Sequence, residues 1–163
     1  MEHLKSTKNA TDEIEKKYIV TGRFKMPIDA KFEKIKQGYI CLEPVVRIRK
    51  SDDKYTLTIK GPGDVSRTEV EKSITKEEFD ALWSLTDDRV VEKTRYFVPF
   101  GKHTIEFDIF EGKLGELVLF EVEFKSLKEA ENFDPGGIDW IMSFEDVSED
   151  QKYKNNNLAI NGL

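Results

Sequence analysis

Polar and apolar residues alternate along much of this chain, and the alternation stops at turn-forming residues. Residues 13–24 open with EIEKKYIV, which puts Glu13, Glu15 and Lys17 on one side and Ile14 on the other, as a strand does. Residues 26–38, MPIDAKFEKIKQG, space Ile28, Phe32 and Ile35 between an early proline and Gly38, which predicts a short helix. Residues 43–61 predict two strands around the polar turn Ser51-Asp52-Asp53, followed by a turn at GPG, residues 61–63. Residues 66–74 predict another strand. TKEEFDALWSL, residues 75–85, predicts a helix, with Thr75 as N-cap, Glu78 at the capping-box position and an apolar stripe of Phe79, Leu82 and Trp83. Residues 89–112 predict two strands with a turn near Gly101, residues 115–127 a further strand and residues 126–133 a short helix. The tail is expected to end in a helix, with Ser148 as a candidate cap.

Strands therefore dominate and follow one another closely, with helices at three or four points. This predicts a largely antiparallel α+β domain, either an open sheet or a barrel. A chain of 163 residues has the length of one ordinary domain. No repeat or low-complexity tract divides it, so residues 12–163 are expected to form one domain behind a flexible leader at 1–11.

Composition narrows the function classes. Charged residues make up 36% of the chain and the formal net charge is −6, which lacks the basic footprint of a nucleic-acid binder. Cys41 is the one cysteine and there are two histidines, so neither an intrachain disulfide nor a Cys/His zinc site is expected. The polar start MEHLKSTKNATDE does not resemble a signal peptide, and no run of about 18 apolar residues predicts a membrane span. A cytoplasmic location with no membrane partner is the expectation. Cys41 and Trp83 are expected in the core, His103 in a solvated turn, and Tyr39 either in the core or near a site entrance.

The charges change the picture further. The pattern at Glu13 and Glu15 recurs at Arg47/Arg49, Glu69/Glu71, Lys93/Arg95, Glu106/Asp108 and Glu121/Glu123, with Lys60 closing TLTIK. Each pair shares one strand face, mostly across an apolar residue. Two arrangements are compatible with this. The pairs can lie on the solvated face of an open sheet, where acid and base strands form cross-strand ion pairs. Alternatively, the sheet closes with its charges inside. Buried unpaired charge is costly, so a closed charged interior is sensible when it takes metal ions and a polyanion. Carboxylates suit hard cations such as Mg²⁺ or Mn²⁺, while lysine and arginine suit phosphate oxygens.

The motifs EIEKK, QGYI, VRIR, LTIKG, SRTEVE, KTRY, IEFDIFEG, FEVEF and DVSEDQKYKNNNLA occur in that order over about residues 13–160. In this the chain resembles the CYTH, or triphosphate tunnel metalloenzyme, superfamily. That superfamily includes inorganic triphosphatases, thiamine triphosphatases, class IV adenylate cyclases and fungal-type RNA triphosphatases of mRNA capping. The resemblance implies an eight-stranded antiparallel β-barrel with helices outside, a triphosphate bound inside and a divalent metal, Mg²⁺ or Mn²⁺. It implies Glu13, Glu15, Glu121 and Glu123 as metal ligands. Lys17, Arg47, Arg49, Lys60, Lys93 and Arg95 would hold phosphate, and Glu69, Glu71, Glu106 and Asp108 would be further interior acids. Lys152 stands where the superfamily usually has arginine and is a further phosphate contact. A homodimer is compatible with the resemblance.

The chemistry so implied is attack of water on a terminal phosphoryl group, which needs positioning and charge stabilisation more than a protein nucleophile. Glu13, Glu15 and Lys17 are the catalytic candidates, with Glu15 able to orient and deprotonate the water. Inorganic tripolyphosphate is the first substrate expectation. A nucleoside triphosphatase, a class IV-type cyclase and a thiamine triphosphatase are the alternatives, and a polyphosphate-binding module without catalysis is the reading from another class.

Overall fold

Alternation along the strands decides how this chain is layered. The computed structural model describes residues 14–62 and 68–163. Nine strands form one antiparallel sheet: β1 (Ile14–Val20), β2 (Lys31–Leu42), β3 (Val45–Ser51), β4 (Lys54–Lys60), β5 (Glu69–Ser73), β6 (Val90–Phe100), β7 (His103–Phe110), β8 (Val118–Phe124) and β9 (Phe144–Asp146). Their order is β5-β4-β3-β2-β6-β7-β8-β1-β9. The helices are α1 (Lys76–Trp83), α2 (Leu127–Glu131) and α3 (Asn155–Asn161). Among the described residues no helix is long and apolar enough to cross a membrane.

The sheet departs from the expected barrel in one respect. Among the described residues no ladder joins β5 to β9 or β1, so the ring of strands is not closed, and the short strand β9 is a ninth member. The middle of the charged face is buried all the same, at Lys17, Lys93, Asp108 and Glu121. Lys93 is 1% exposed and Asp108 0%. A flat, uncovered sheet face would leave such groups in water, so the sheet curls around its polar side.

The helix expected over 26–38 is absent. Residues from Lys31 onward are strand β2, paired on both sides with β3 and β6. Phe32 and Ile35 have helical spacing, but they lie on opposite faces of the strand: Ile35 is buried and Phe32 exposed. Ile28 is fully exposed and anchors nothing. Each flanking ladder pairs the backbone groups of alternate residues, so the two together satisfy this segment, and that outweighs a weak local preference for helix.

The apolar side carries two layers. Tyr18, Phe107, Phe120, Val122 and Phe124 form a core with Ala130 of α2 and with Ile138 and Ile141 of the segment before β9. Trp140 packs on Phe107, with ring centroids 5.1 Å apart. His103 is half-buried at the start of β7, its ring against Phe124 and Phe133, rather than in a solvated turn. Cys41 is likewise half-buried near the end of β2. Elsewhere, α1 lies on β3 and β4, with its capping box formed between Thr75 and Glu78 as the sequence predicts.

Gly38 lets this layer approach. A Cβ there would stand 2.4 Å from Thr86 Cγ2 and 3.2 Å from Trp83 Cζ3. Thr86 is itself buried and cannot withdraw freely. Gly38→Ala is therefore expected to destabilise the fold by about 1–3 kcal/mol through overpacking, despite alanine's better backbone entropy. Urea unfolding followed by circular dichroism measures it, and a stabilised variant would show that Thr86 and Trp83 give way.

On the polar side, an apolar cluster fills one end. Val91, Phe110, Leu117 and Leu119 pack with Ile19 against Leu158 of α3 and against Tyr153. Parity places Val91, Phe110, Leu119 and Ile19 on the same strand faces as Lys93, Asp108, Glu121 and Lys17. The polar face is thus closed at this end by the C-terminal segment. Ser148 does not cap α3, whose N-cap residue is Lys154. Its hydroxyl instead accepts the Lys17 backbone N–H at 3.0 Å, tying the tail to β1.

Candidate active site

Register turns the same-sign pairs into opposite-sign neighbours. Lys17 on β1 stands opposite Glu121 on β8, Arg95 on β6 opposite Asp108 on β7, and Lys60 on β4 opposite Glu69 on β5. Each acid strand borders a basic one, so charges meet across the ladder rather than along the strand. Two acid pairs are exceptions: Glu15 faces Glu123 and Glu106 faces Glu121, each as two carboxylates.

Lys17, Lys93, Arg95, Glu106, Asp108 and Glu121 form a lattice of ion pairs on β6, β7, β8 and β1. Arg95 donates through Nε and Nη2 to the two oxygens of Asp108, both at 2.7 Å, and also pairs with Glu106. Its Nη2 donates to Glu121 at 3.3 Å. Lys93 Nζ donates to Asp108 at 2.6 Å and reaches Asn155 Oδ1 at 3.5 Å. Lys17 Nζ lies 3.2 Å from Glu121 and donates to the Tyr153 carbonyl at 3.1 Å.

These contacts shift the groups in understandable directions. Burial opposes the charge of Asp108, but Lys93 and Arg95 overcome it and hold the carboxyl below its ordinary value. Glu121 is lowered in the same way, with Lys17, Lys93 and Arg95 outweighing burial. Burial also opposes charge on Arg95, yet Asp108, Glu121 and Glu106 together raise it above its usual value. Lys93 is pulled down by complete burial, against the attraction of Asp108.

The basic residues on β3 are held differently. Arg49 Nε donates to Gln37 Oε1 at 3.0 Å. Arg47 Nη2 donates to Thr58 at 3.3 Å, and its distance to Glu71 is 4.0 Å. The buried Arg47 Nε has no hydrogen-bond partner among the described residues. Burial first, then Arg47 and Arg95 nearby, lower the Arg49 pKa to about 10, so it remains a cation at neutral pH. Positive charge is therefore poorly compensated on β3 and well compensated on β6.

Negative charge is crowded on the other side. Glu106 is pushed up by burial, against Arg95, and further by Glu121, Glu123 and Asp108. Glu106 and Glu123 line a cavity of about 250 Å³ together with Thr104, with Glu129 and its ion-pair partner Lys102, and with Lys125. Glu15 is near, its carboxylate 3.9 Å from Lys17 Nζ. A set of carboxylates that repel one another suits a hard divalent cation, which takes oxygen ligands and relieves the repulsion. Among the described residues no group of three side chains is already gathered as a finished metal site.

The expected site residues sort accordingly. Lys17, Lys93, Arg95, Glu106, Asp108 and Glu121 form the lattice, with Glu15 and Glu123 at its margin. Arg47, Arg49 and Glu71 form the β3–β5 side, and Lys60 pairs with Glu69 at 3.3 Å. Glu121, expected as a metal ligand, has its oxygens turned to Lys17 and Arg95. Lys152 is exposed, with Nζ 5.6 Å from the Tyr153 ring, and is not drawn into the lattice. Glu13 lies outside the described residues, as does Gly63 of the expected GPG turn. Tyr39 is buried at 4% exposure, and its register opposite Arg47 puts it on the polar face. Gln37 escaped the sequence reading because residues 26–38 looked helical. Period-two counting back from Tyr39 would have placed it there.

A sheet that gathers half-buried, poorly compensated arginines and a set of exposed or half-buried carboxylates on one face has the chemistry to take a polyanion together with a metal cation. The chain belongs to the CYTH domain family, whose profile matches residues 12–136. It is 40% identical over 131 residues to an inorganic triphosphatase of Nitrosomonas europaea, a span of 77% of this chain and 83% of that protein. The crystal structure of an inorganic triphosphatase matches with a TM-score of 0.72 at 34% identity, covering 93% of this chain and 96% of that one. A protein structure from Pyrococcus horikoshii matches with a TM-score of 0.51 at 20% identity, over 73% of this chain and 82% of that one, a likeness of fold alone.

Proposed function

We propose that this chain hydrolyses inorganic tripolyphosphate to pyrophosphate and phosphate, with Mg²⁺ or Mn²⁺ as cofactor. The observation that carries the reading is the division of one sheet face into half-buried, poorly compensated cations at Arg47 and Arg49 and neighbouring carboxylates at Glu15, Glu106 and Glu123. The likeness to inorganic triphosphatases supports the choice of substrate.

Arg47 and Arg49 bind phosphoryl oxygens and orient the chain of phosphates. Lys17, Lys93 and Arg95 face the same space and stabilise charge as it builds on the phosphate oxygens. Glu15 and Glu123, with Glu106 beside them, are the groups to hold the cation. Glu13 joins them by its place in the EIEKK motif. The bound cation supplies charge neutralisation of phosphate oxygens and acidifies water. Glu15 orients the attacking water and accepts its proton as the new P–O bond forms. The bond to the bridging oxygen breaks and pyrophosphate leaves with its electron pair. No serine, cysteine or histidine nucleophile is involved.

Phosphate release from tripolyphosphate, ATP and thiamine triphosphate, each with Mg²⁺, with Mn²⁺ and with chelator, tests this. Metal-dependent release with tripolyphosphate preferred is expected. Preference for ATP or thiamine triphosphate would reassign the substrate, cyclic AMP in the ATP sample would make the chain a cyclase, and no turnover at all would leave a binding module.

A further inference from the structure

The two arginine sites on the polar face are built on different principles, and the difference falls on a residue with no charge. Gln37 is completely buried at the centre of the sheet, between β3 and β6. Its Oε1 accepts from Arg49 Nε at 3.0 Å, and its Nε2 donates to the Tyr39 hydroxyl at 3.1 Å. The amide orientation follows from chemistry, since a guanidinium can only donate. Tyr39 is nearly as buried and stands opposite Arg47 in the ladder. A neutral chain of hydrogen bonds thus runs from Arg49 through Gln37 to Tyr39.

Stability alone does not favour an amide at this position. A glutamate of the same length would accept from Arg49 through a charge-assisted bond, the stronger kind, and would offset a buried cation. That is how Asp108, Glu106 and Glu121 treat Arg95 two strands away. Arg49 forms no ion pair among the described residues, and its two Nη nitrogens have no protein partner there. The amide holds the guanidinium by its Nε corner and leaves both the charge and the remaining fork of donors for a ligand. A phosphoryl group is the ligand that such a fork fits, accepting two parallel bonds.

We infer that Gln37 is a positioning residue, whose neutral amide aims Arg49 at a phosphoryl group of the substrate without cancelling its charge. The inference rests on the polyanion reading of this face. A residue that merely filled the core would be replaced best by whichever side chain keeps the fold most stable. A residue that guards the Arg49 charge is harmed most by the substitution that pairs with it best.

Gln37→Glu and Gln37→Met separate these cases in the full chain. Tripolyphosphate affinity is read by calorimetry in chelator, where no turnover occurs, and KM and kcat with Mg²⁺ separately. Gln37→Glu is expected to weaken binding about tenfold or more, the loss of roughly one charge-assisted contact. Its melting temperature should equal or exceed that of Gln37→Met. Gln37→Met, which frees Arg49 without neutralising it, is expected to weaken binding only severalfold. KM should follow the affinities, with kcat within about threefold of the parent. Gln37→Glu binding as well as the parent, or better than Gln37→Met, would overturn the inference. If Gln37→Glu does not fold, Gln37→Met decides alone: weaker binding at a similar melting temperature supports the inference, and unchanged binding overturns it. A parent protein that binds tripolyphosphate but releases no phosphate would end the enzyme reading and leave the affinity comparison intact. A parent that does not bind it would end both.

Discussion

Asp108→Asn is expected to be among the most destabilising single substitutions in this protein, by about 3–5 kcal/mol. Asp108 is completely buried and is the partner of both Lys93 and Arg95. An asparagine keeps the shape but removes the charge, and it turns an NH₂ donor toward groups that are themselves donors. Arg95 retains Glu106 and Glu121, whereas the ammonium of Lys93 is left with Asn155 Oδ1 at 3.5 Å. An uncompensated buried charge is the costly outcome, more so than the loss of the pair as such. Thermal unfolding should show a fall of roughly 10 °C for a chain of this size. A fall of only 1 or 2 °C would mean that Lys93 gives up its proton or that water enters the lattice.

The same lattice sets a pH dependence with a definite sign. The Asp108 carboxyl titrates below its ordinary value of 3.8 in the fold. Its contribution to stability is therefore fully present above that value and is lost as pH falls through the lowered one. Parent protein should lose stability steeply in that acid range. Asp108→Asn should lose less over the same interval, having no carboxyl to protonate there.

Glu15→Gln is expected to reduce turnover by at least about a hundredfold while leaving tripolyphosphate binding in chelator largely intact. The glutamine keeps the length of the side chain and can still accept a hydrogen bond, but it is a poor ligand for a hard cation and cannot take a proton from water. A cation at transferring phosphoryl groups contributes several kcal/mol, and each 1.36 kcal/mol is tenfold in rate. Binding is spared because the poorly compensated arginines lie on β3, across the sheet from Glu15 on β1. Equal loss of binding and turnover would move Glu15 from the catalytic side to the structural one. Turnover above a tenth of the parent's would remove it from the site.

The acid and base pairs were legible in the chain because a strand's period of two is strict. Once Glu121/Glu123 or Lys93/Arg95 is seen across one intervening residue, both members must share a face. The capping box at Thr75 was legible for a similar reason, since its geometry is contained in four residues. The segment at 26–38 was not. Its apolar spacing is compatible with a helix, and the β3 and β6 ladders that make it a strand come from residues far along the chain. That misreading also hid Gln37, whose significance depends on Arg49 lying directly across the ladder.

The chain by itself therefore determined which residues share a face, and so which charges could assemble, because strand alternation is local. The charge pairs alone left cross-strand ion pairing and a metal with a polyanion both open, and the resemblance carried by the ordered motifs implied the second. Only the tertiary structure decided which charges neutralise one another. Register sets Asp108 against Arg95 and Glu121 against Lys17, and it leaves Arg49 to an uncharged amide. Register and curl are properties of the whole sheet, fixed by packing between strands distant in sequence. They also determine burial, and burial gives each of these ion pairs its strength and each missing partner its cost.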